Sequence, residues 1–163
     1  MIAMRTTEQW LTEYGESHQN PTNKLVHWIC VPLIMFSLLG LLWSIPAGFL
    51  QAPFPDAVKP FINFATVFML VMLIFYLRLS LPLFLGMVVV SGLMILGLYG
   101  LERVSPLPMW LTSLIIFVAA WIGQFFGHKV EGKKPSFLKD VQFLLIGPAW
   151  ILSFIYRKLS LQY

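Results

Sequence analysis

Five uncharged, strongly apolar runs dominate this sequence and set what it can become. They cover residues 25–50, 60–77, 79–101, 104–127 and 141–156. A bilayer's hydrocarbon core is about 30 Å thick, and an apolar helix of about 20 residues crosses it. Only helices and closed barrels satisfy their backbone polar groups at that depth. The first four runs are long enough to cross. The fifth has 16 residues and carries Gly147-Pro148 in its middle, where proline removes a backbone donor and kinks a helix. Composition agrees: 58% of residues are hydrophobic, 11% are charged and the mean hydropathy is +0.80, which excludes an ordinary soluble domain. The expected fold class is an all-α integral membrane protein forming a single domain over residues 1–163. Four transmembrane helices are expected at roughly 25–50, 60–78, 79–101 and 106–128, with a re-entrant or interfacial C-terminal helix at 139–157.

Charge orients the spans. With four crossings, Arg5, Lys24, Arg78, Lys129, Lys133, Lys134, Lys139, Arg157 and Lys158 share one side, and Lys59 and Arg103 take the other. Nine against two is the positive-inside pattern, so both termini are expected in the cytoplasm. A fifth full crossing would move Arg157 and Lys158 across and weaken the bias, so the last run is assigned to the interface. A bacterial inner membrane is favoured over the endoplasmic reticulum. The basic excess of +4 follows this topology, and no nucleic-acid partner is expected. Residues 1–24 carry Arg5, Glu8, Glu13, Glu16 and Lys24 with no apolar core, so they do not resemble a cleaved signal. The lone Cys30 lies in an apolar run as small filler. Trp28, Trp43, Trp110, Trp121 and Trp150 are expected to anchor span ends at the headgroup level. Ala119, Gly123 and Gly127 recur every four residues, a spacing that lets a neighbouring helix approach and that offers a face for oligomers.

All three histidines fall at the cytoplasmic ends of spans under this topology. His18 precedes Asn20-Pro21, a helix start with asparagine as N-cap and proline at the first position. His27 lies one turn beyond Asn23, and Gln124, His128 and Glu131 follow an i, i+4, i+7 stripe. Polar groups at membrane depth are costly and usually face the bundle interior. Three neutral imidazoles, with or without Glu131, suit zinc or non-haem iron better than calcium or magnesium, which need more oxygen ligands. Lys24, Lys129, Lys133 and Lys134 surround the proposed site, where they serve topology and headgroup contact or hold a substrate carboxylate.

The blocks YGESHQNPTNKLVHWICVP (residues 14–32) and WIGQFFGHKVEGKKPS (residues 121–136) resemble the two signatures of the small membrane family that contains the yeast endoplasmic-reticulum 2-hydroxy fatty acid dioxygenase. The likeness spans nearly the whole chain. It implies iron(II)-dependent α-oxidation of long-chain 2-hydroxy fatty acids by O2 to the acid one carbon shorter plus CO2. It also implies His18, His27 and His128 as metal ligands and catalytic residues together with Glu131. Asn20, Asn23, Gln124, Lys24, Glu131 and Lys133 are left to position ligands or bind substrate. Whether Glu131 is itself a ligand stays open. Two other classes compete with this expectation: a small membrane transporter or channel for a metal ion or a weak acid, and a structural membrane protein with interfacial histidines. Membrane lipids surround the chain in every case.

Overall fold

The computed structural model describes residues 5–134 and 142–162. They form seven α-helices, α1 (Thr7–Glu16), α2 (Pro21–Trp43), α3 (Gly48–Gln51), α4 (Phe64–Leu79), α5 (Leu81–Val104), α6 (Met109–Glu131) and α7 (Phe143–Lys158), with one 3₁₀ turn at Lys59–Phe61. Among the described residues there is no strand. α2, α5 and α6, of 23, 24 and 23 residues, are long and apolar enough to cross a membrane, and α4 is a shorter apolar helix of 16 residues.

Several boundaries differ from the sequence expectation for local reasons. α2 begins at Pro21, where the Asn20 side chain accepts the Thr22 N–H at 2.9 Å. It ends at Trp43 instead of continuing to residue 50, because Pro46 has no N–H to donate and disfavours helix at the residue before it. The break between the first two apolar runs, residues 51–59, is a loop over 52–58, with the end of α3 at Gln51 and the start of the 3₁₀ turn at Lys59. The Ser80 backbone N–H closes α4 on the Tyr76 carbonyl and its side chain accepts the Leu83 N–H to cap α5, giving a tight turn after Arg78. α7 starts at Phe143 and runs through Pro148 as one helix; residues 139–141 of the expected range, with Pro135 and Ser136 of the second block, lie outside the described residues.

α1 was not expected. A capping box at Thr6 and Gln9 starts it, and Trp10, Leu11 and Tyr14 give it one buried stripe. That stripe packs on α7: Trp10 meets Phe143 edge-on at 5.3 Å and Tyr14 lies 5.4 Å from Trp150. Thr7 also donates to the Leu79 carbonyl at the end of α4. α1 and α7 thus form a platform against the histidine-bearing end of the bundle. Tyr76 of α4 joins it by donating to the Leu145 carbonyl, and Tyr156 of α7 donates to the Pro82 carbonyl.

α2 and α6 make the most intimate pair. A Cβ at Gly40 would stand 2.1 Å from Ser113 Oγ, one at Gly123 2.7 Å from Cys30 Sγ, and one at Gly127 2.5 Å from Asn23 Oδ1. The small residues therefore bring two backbones together within one chain. This corrects the expected oligomer face: Gly123 and Gly127 pack against α2, and of the three only Ala119 is exposed.

Candidate metal centre

The α2–α6 seam fixes two histidines and the α1–α2 turn supplies the third. His18 follows α1 directly, His27 stands on the second turn of α2, and His128 lies in the last turn of α6. Their ring centroids are 4.1 Å (His18–His27), 5.1 Å (His18–His128) and 4.8 Å (His27–His128) apart. One nitrogen from each ring falls within 4.8 Å of the other two. All three rings are buried.

The remaining nitrogens are held by backbone. His18 Nδ1 donates to the Tyr14 carbonyl at 2.6 Å and His27 Nδ1 to the Asn23 carbonyl at 2.9 Å; the Lys133 backbone is the hydrogen-bond partner of the His128 ring. A metal-ligating histidine almost always has its second nitrogen fixed in this way, which sets the tautomer and aims the free lone pair. His18 Nε2 and His128 Nδ1 are buried with no hydrogen-bond partner. Burying a polar atom unpaired costs about 1–3 kcal/mol, so two such atoms, on rings that each bring a nitrogen within 4.8 Å of the others, fit a cation that would accept both lone pairs. Burial pushes the His18 pKa down to about 4, with the neighbouring His128 lowering it further and the Tyr14 carbonyl opposing. The ring is therefore neutral at physiological pH, as a ligand must be.

Glu131 stands outside this group of nitrogens. Its carboxylate accepts the Gln19 N–H at 2.9 Å, the Asn20 N–H at 2.8 Å and Asn23 Nδ2 at 3.0 Å. Asn23 Nδ2 also donates to the Ser17 carbonyl at 3.1 Å. One acid on α6 thereby ties the His18 turn and the first turn of α2 to the helix that carries His128. Gln124, buried one turn before His128, lines the same cavity as the three rings. Asn20 caps α2 with its side chain, so only its backbone reaches Glu131. Lys133 Nζ donates to the Glu16 carbonyl at 2.7 Å and closes the end of α1. Lys24 lies on the far side of His18, in a polar recess of about 370 Å³ shared with Glu8, Glu16 and Arg157.

On the other side of the rings a cavity of about 530 Å³ runs between α2, α4, α6 and α7. Tyr14, Gln124 and the three histidines form its polar end; Ile34, Leu38, Phe68, Met72 and Phe117 line the rest. The arrangement is a buried cluster of neutral nitrogen donors opening onto a long hydrocarbon-like space.

Over residues 4–159 the sequence matches the family described as 2-hydroxy-palmitic acid dioxygenase Mpo1-like. This chain belongs to the Mpo1-like family. Among curated relatives, the 2-hydroxy-palmitic acid dioxygenase MPO1 of Saccharomyces cerevisiae is 30% identical over 141 residues, which is 85% of this chain and 73% of the yeast protein. No solved structure matches it.

Two aromatic residues of this Mpo1-like chain belong to the site beyond those assigned to it from sequence. Tyr14 stacks on His18 with centroids 4.3 Å apart and planes 13° from parallel; its spacing four residues before His18 was the available signal. Trp150, expected as a membrane anchor, is buried and lies 5.2 Å from the His18 ring. Trp43 is likewise buried and donates to Glu102 at 3.1 Å. Both are corrections of the anchoring expectation: Trp150 is covered where α1 packs on α7, and Trp43 is held by its contact with α5.

Proposed function

We propose that this Mpo1-like protein is an iron(II)-dependent dioxygenase that cleaves a long-chain 2-hydroxy fatty acid to the acid one carbon shorter plus CO2. The observation that carries the reading is the pairing of three buried, backbone-oriented imidazoles with an apolar cavity at whose polar end they sit. His18, His27 and His128 would hold the iron, which when bound supplies Lewis-acid and redox chemistry toward O2 and the 2-hydroxycarboxylate head. The protein's own contribution is geometric. Glu131 holds the His18 turn in place, the Tyr14 and Asn23 carbonyls set two ring tautomers, and the cavity keeps water from the acyl tail.

The overall conversion is R–CH(OH)–COOH + O2 → R–COOH + CO2 + H2O. The C1–C2 bond breaks, C2 rises from alcohol to acid level, and C1 leaves as CO2. These changes release four electrons, which is what O2 takes up, so no external reductant enters the balance. A carrier for a metal ion or weak acid would need polar side chains along its path, whereas the space beyond Gln124 is walled by aliphatic and aromatic groups.

The proposal includes the topology. α2, α4, α5 and α6 cross the bilayer, both chain ends face the cytoplasm, and α7 lies at that interface against α1, Tyr76 and Pro82. The chemistry is tested by metal analysis of the purified protein, followed by mass spectrometry of a 2-hydroxy fatty acid incubated with it in air. Iron near one per chain and a product one carbon shorter are expected. Protein that holds no iron and leaves the acid intact would sink the reading.

A further inference from the structure

The walls of the large cavity carry a length scale. On α2, His27, Val31, Ile34 and Leu38 line it. On α6 the matching stripe is His128, Gln124, Trp121 and Phe117. Both stripes reach eleven residues from their histidine, which at the helical rise of 1.5 Å per residue is roughly 16 Å. Beyond that level the space is filled: Leu98 of α5 is fully buried, and it stands with Ser113 of α6 against the Gly40 backbone of α2. The cavity is therefore deep in one direction and closed at its far end by packing.

Roughly 16 Å is about half of a 30 Å hydrocarbon core, the depth that one leaflet's acyl tail occupies. A volume of about 530 Å³ suits one small ligand and not a two-tailed lipid. We infer that this cavity is an acyl-length gauge for a free, single-tailed fatty acid, with Leu38 and Phe117 at the floor setting the longest tail accepted and Ile34 standing midway. The inference rests on the proposed function for the identity of the head group and adds the residues that select the tail. Its physical basis is burial: each methylene moved from water into an apolar wall contributes about 0.8 kcal/mol, close to fourfold in affinity. Affinity climbs with chain length while the cavity has room and stops climbing at the floor.

The test uses the full-length protein in detergent, with binding measured by displacement of a fluorescent fatty acid and turnover measured in parallel on 2-hydroxyoctanoic, 2-hydroxyhexadecanoic and 2-hydroxytetracosanoic acids. Wild type is expected to bind the hexadecanoic acid at least about 100-fold more tightly than the octanoic and to discriminate against the tetracosanoic. Ile34→Trp raises the floor and should bring the hexadecanoic and octanoic acids within about tenfold of each other. Leu38→Ala and Phe117→Ala lower it and should move the optimum toward the longest acid, which keeps the test alive if the tryptophan variant fails to fold. Equal affinity for all lengths in wild type, or variants that leave the length profile unmoved, would overturn the gauge. Length-dependent binding without any turnover would leave the gauge standing and remove the proposed reaction.

Discussion

Replacing Glu131 by glutamine separates a positioning acid from a metal ligand. In the native protein one carboxylate oxygen accepts the Gln19 N–H at 2.9 Å, and the other accepts the Asn20 N–H at 2.8 Å and Asn23 Nδ2 at 3.0 Å. Glutamine has one acceptor. In its better orientation the amide oxygen keeps Asn20 and Asn23, and the amide NH2 then faces the Gln19 N–H. Two bonds fall from charge-assisted (about 1.5–3 kcal/mol) to neutral (about 0.5–1.5 kcal/mol), a loss of about 1 kcal/mol each. The third is lost at an exposed N–H that water can serve, which adds little. The clamp weakens by about 2 kcal/mol, and because the same turn carries His18, metal affinity should fall by roughly 30-fold. That lies within the roughly 10- to 100-fold span typical when a group that orients a ligand is lost. The assay is competition of iron(II) against a chelator of known affinity, with His27→Ala as the ligand-loss reference. Glu131→Gln binding as tightly as wild type would mean the clamp does not position His18. Loss of binding as complete as in His27→Ala would make Glu131 a ligand instead of a positioning acid.

Other outcomes follow from the same contacts. Gly127→Ala puts a Cβ 2.5 Å from Asn23 Oδ1 and 3.2 Å from Val26 Cγ1; overpacking of this kind costs about 1–3 kcal/mol, seen as a lowered thermal midpoint in detergent, and an unchanged midpoint would mean the α2–α6 seam has slack. The folded-state pKa of His18, about 4 against an ordinary 6.5, means that the metal-free fold binds fewer protons than the unfolded chain between those values. The stability it contributes is complete above pH 6.5 and is lost as pH falls toward 4, and His18→Gln should flatten that part of the stability curve. Cysteines placed at Asp56 and at Ser160 should be labelled from opposite sides of intact cells; labelling of both from one side would contradict the proposed topology.

The sequence exposes most of what periodicity and composition can carry. Apolar runs locate α2, α4, α5 and α6 because a bilayer demands uninterrupted helices, and Asn20-Pro21 marks a helix start because its chemistry is local. The three histidines could be grouped on one side of the membrane, yet spacing alone could not bring His18 and His128 to 5.1 Å; that distance depends on the Gly123 and Gly127 contacts that draw α6 onto α2. Glu131 illustrates the limit. Its stripe with Gln124 and His128 was visible, but two of its three partners are the backbone N–H groups of Gln19 and Asn20, more than a hundred residues away, and backbone donors leave no mark on a sequence. α1 was hidden for a different reason: it is short and charged, and its buried stripe makes sense only against α7. Trp150 was misassigned with it, since an indole that packs on a histidine and one that sits at a headgroup look alike in one dimension.

In the proposed reaction, three imidazoles on this fold support cleavage of a 2-hydroxy acid with no electrons beyond those of the substrate. The most direct measurement is the stoichiometry of purified, iron(II)-loaded protein given oxygen and 2-hydroxyhexadecanoic acid, with O2 uptake, CO2 release and the shortened acid followed together. One O2 consumed and one CO2 released per acid formed, no added reductant, an inert unhydroxylated acid, and no activity in the His18→Ala, His27→Ala or His128→Ala proteins are expected. A stoichiometric demand for 2-oxoglutarate or NADPH, equal turnover of the unhydroxylated acid, or full activity in all three histidine variants would contradict the proposed reaction.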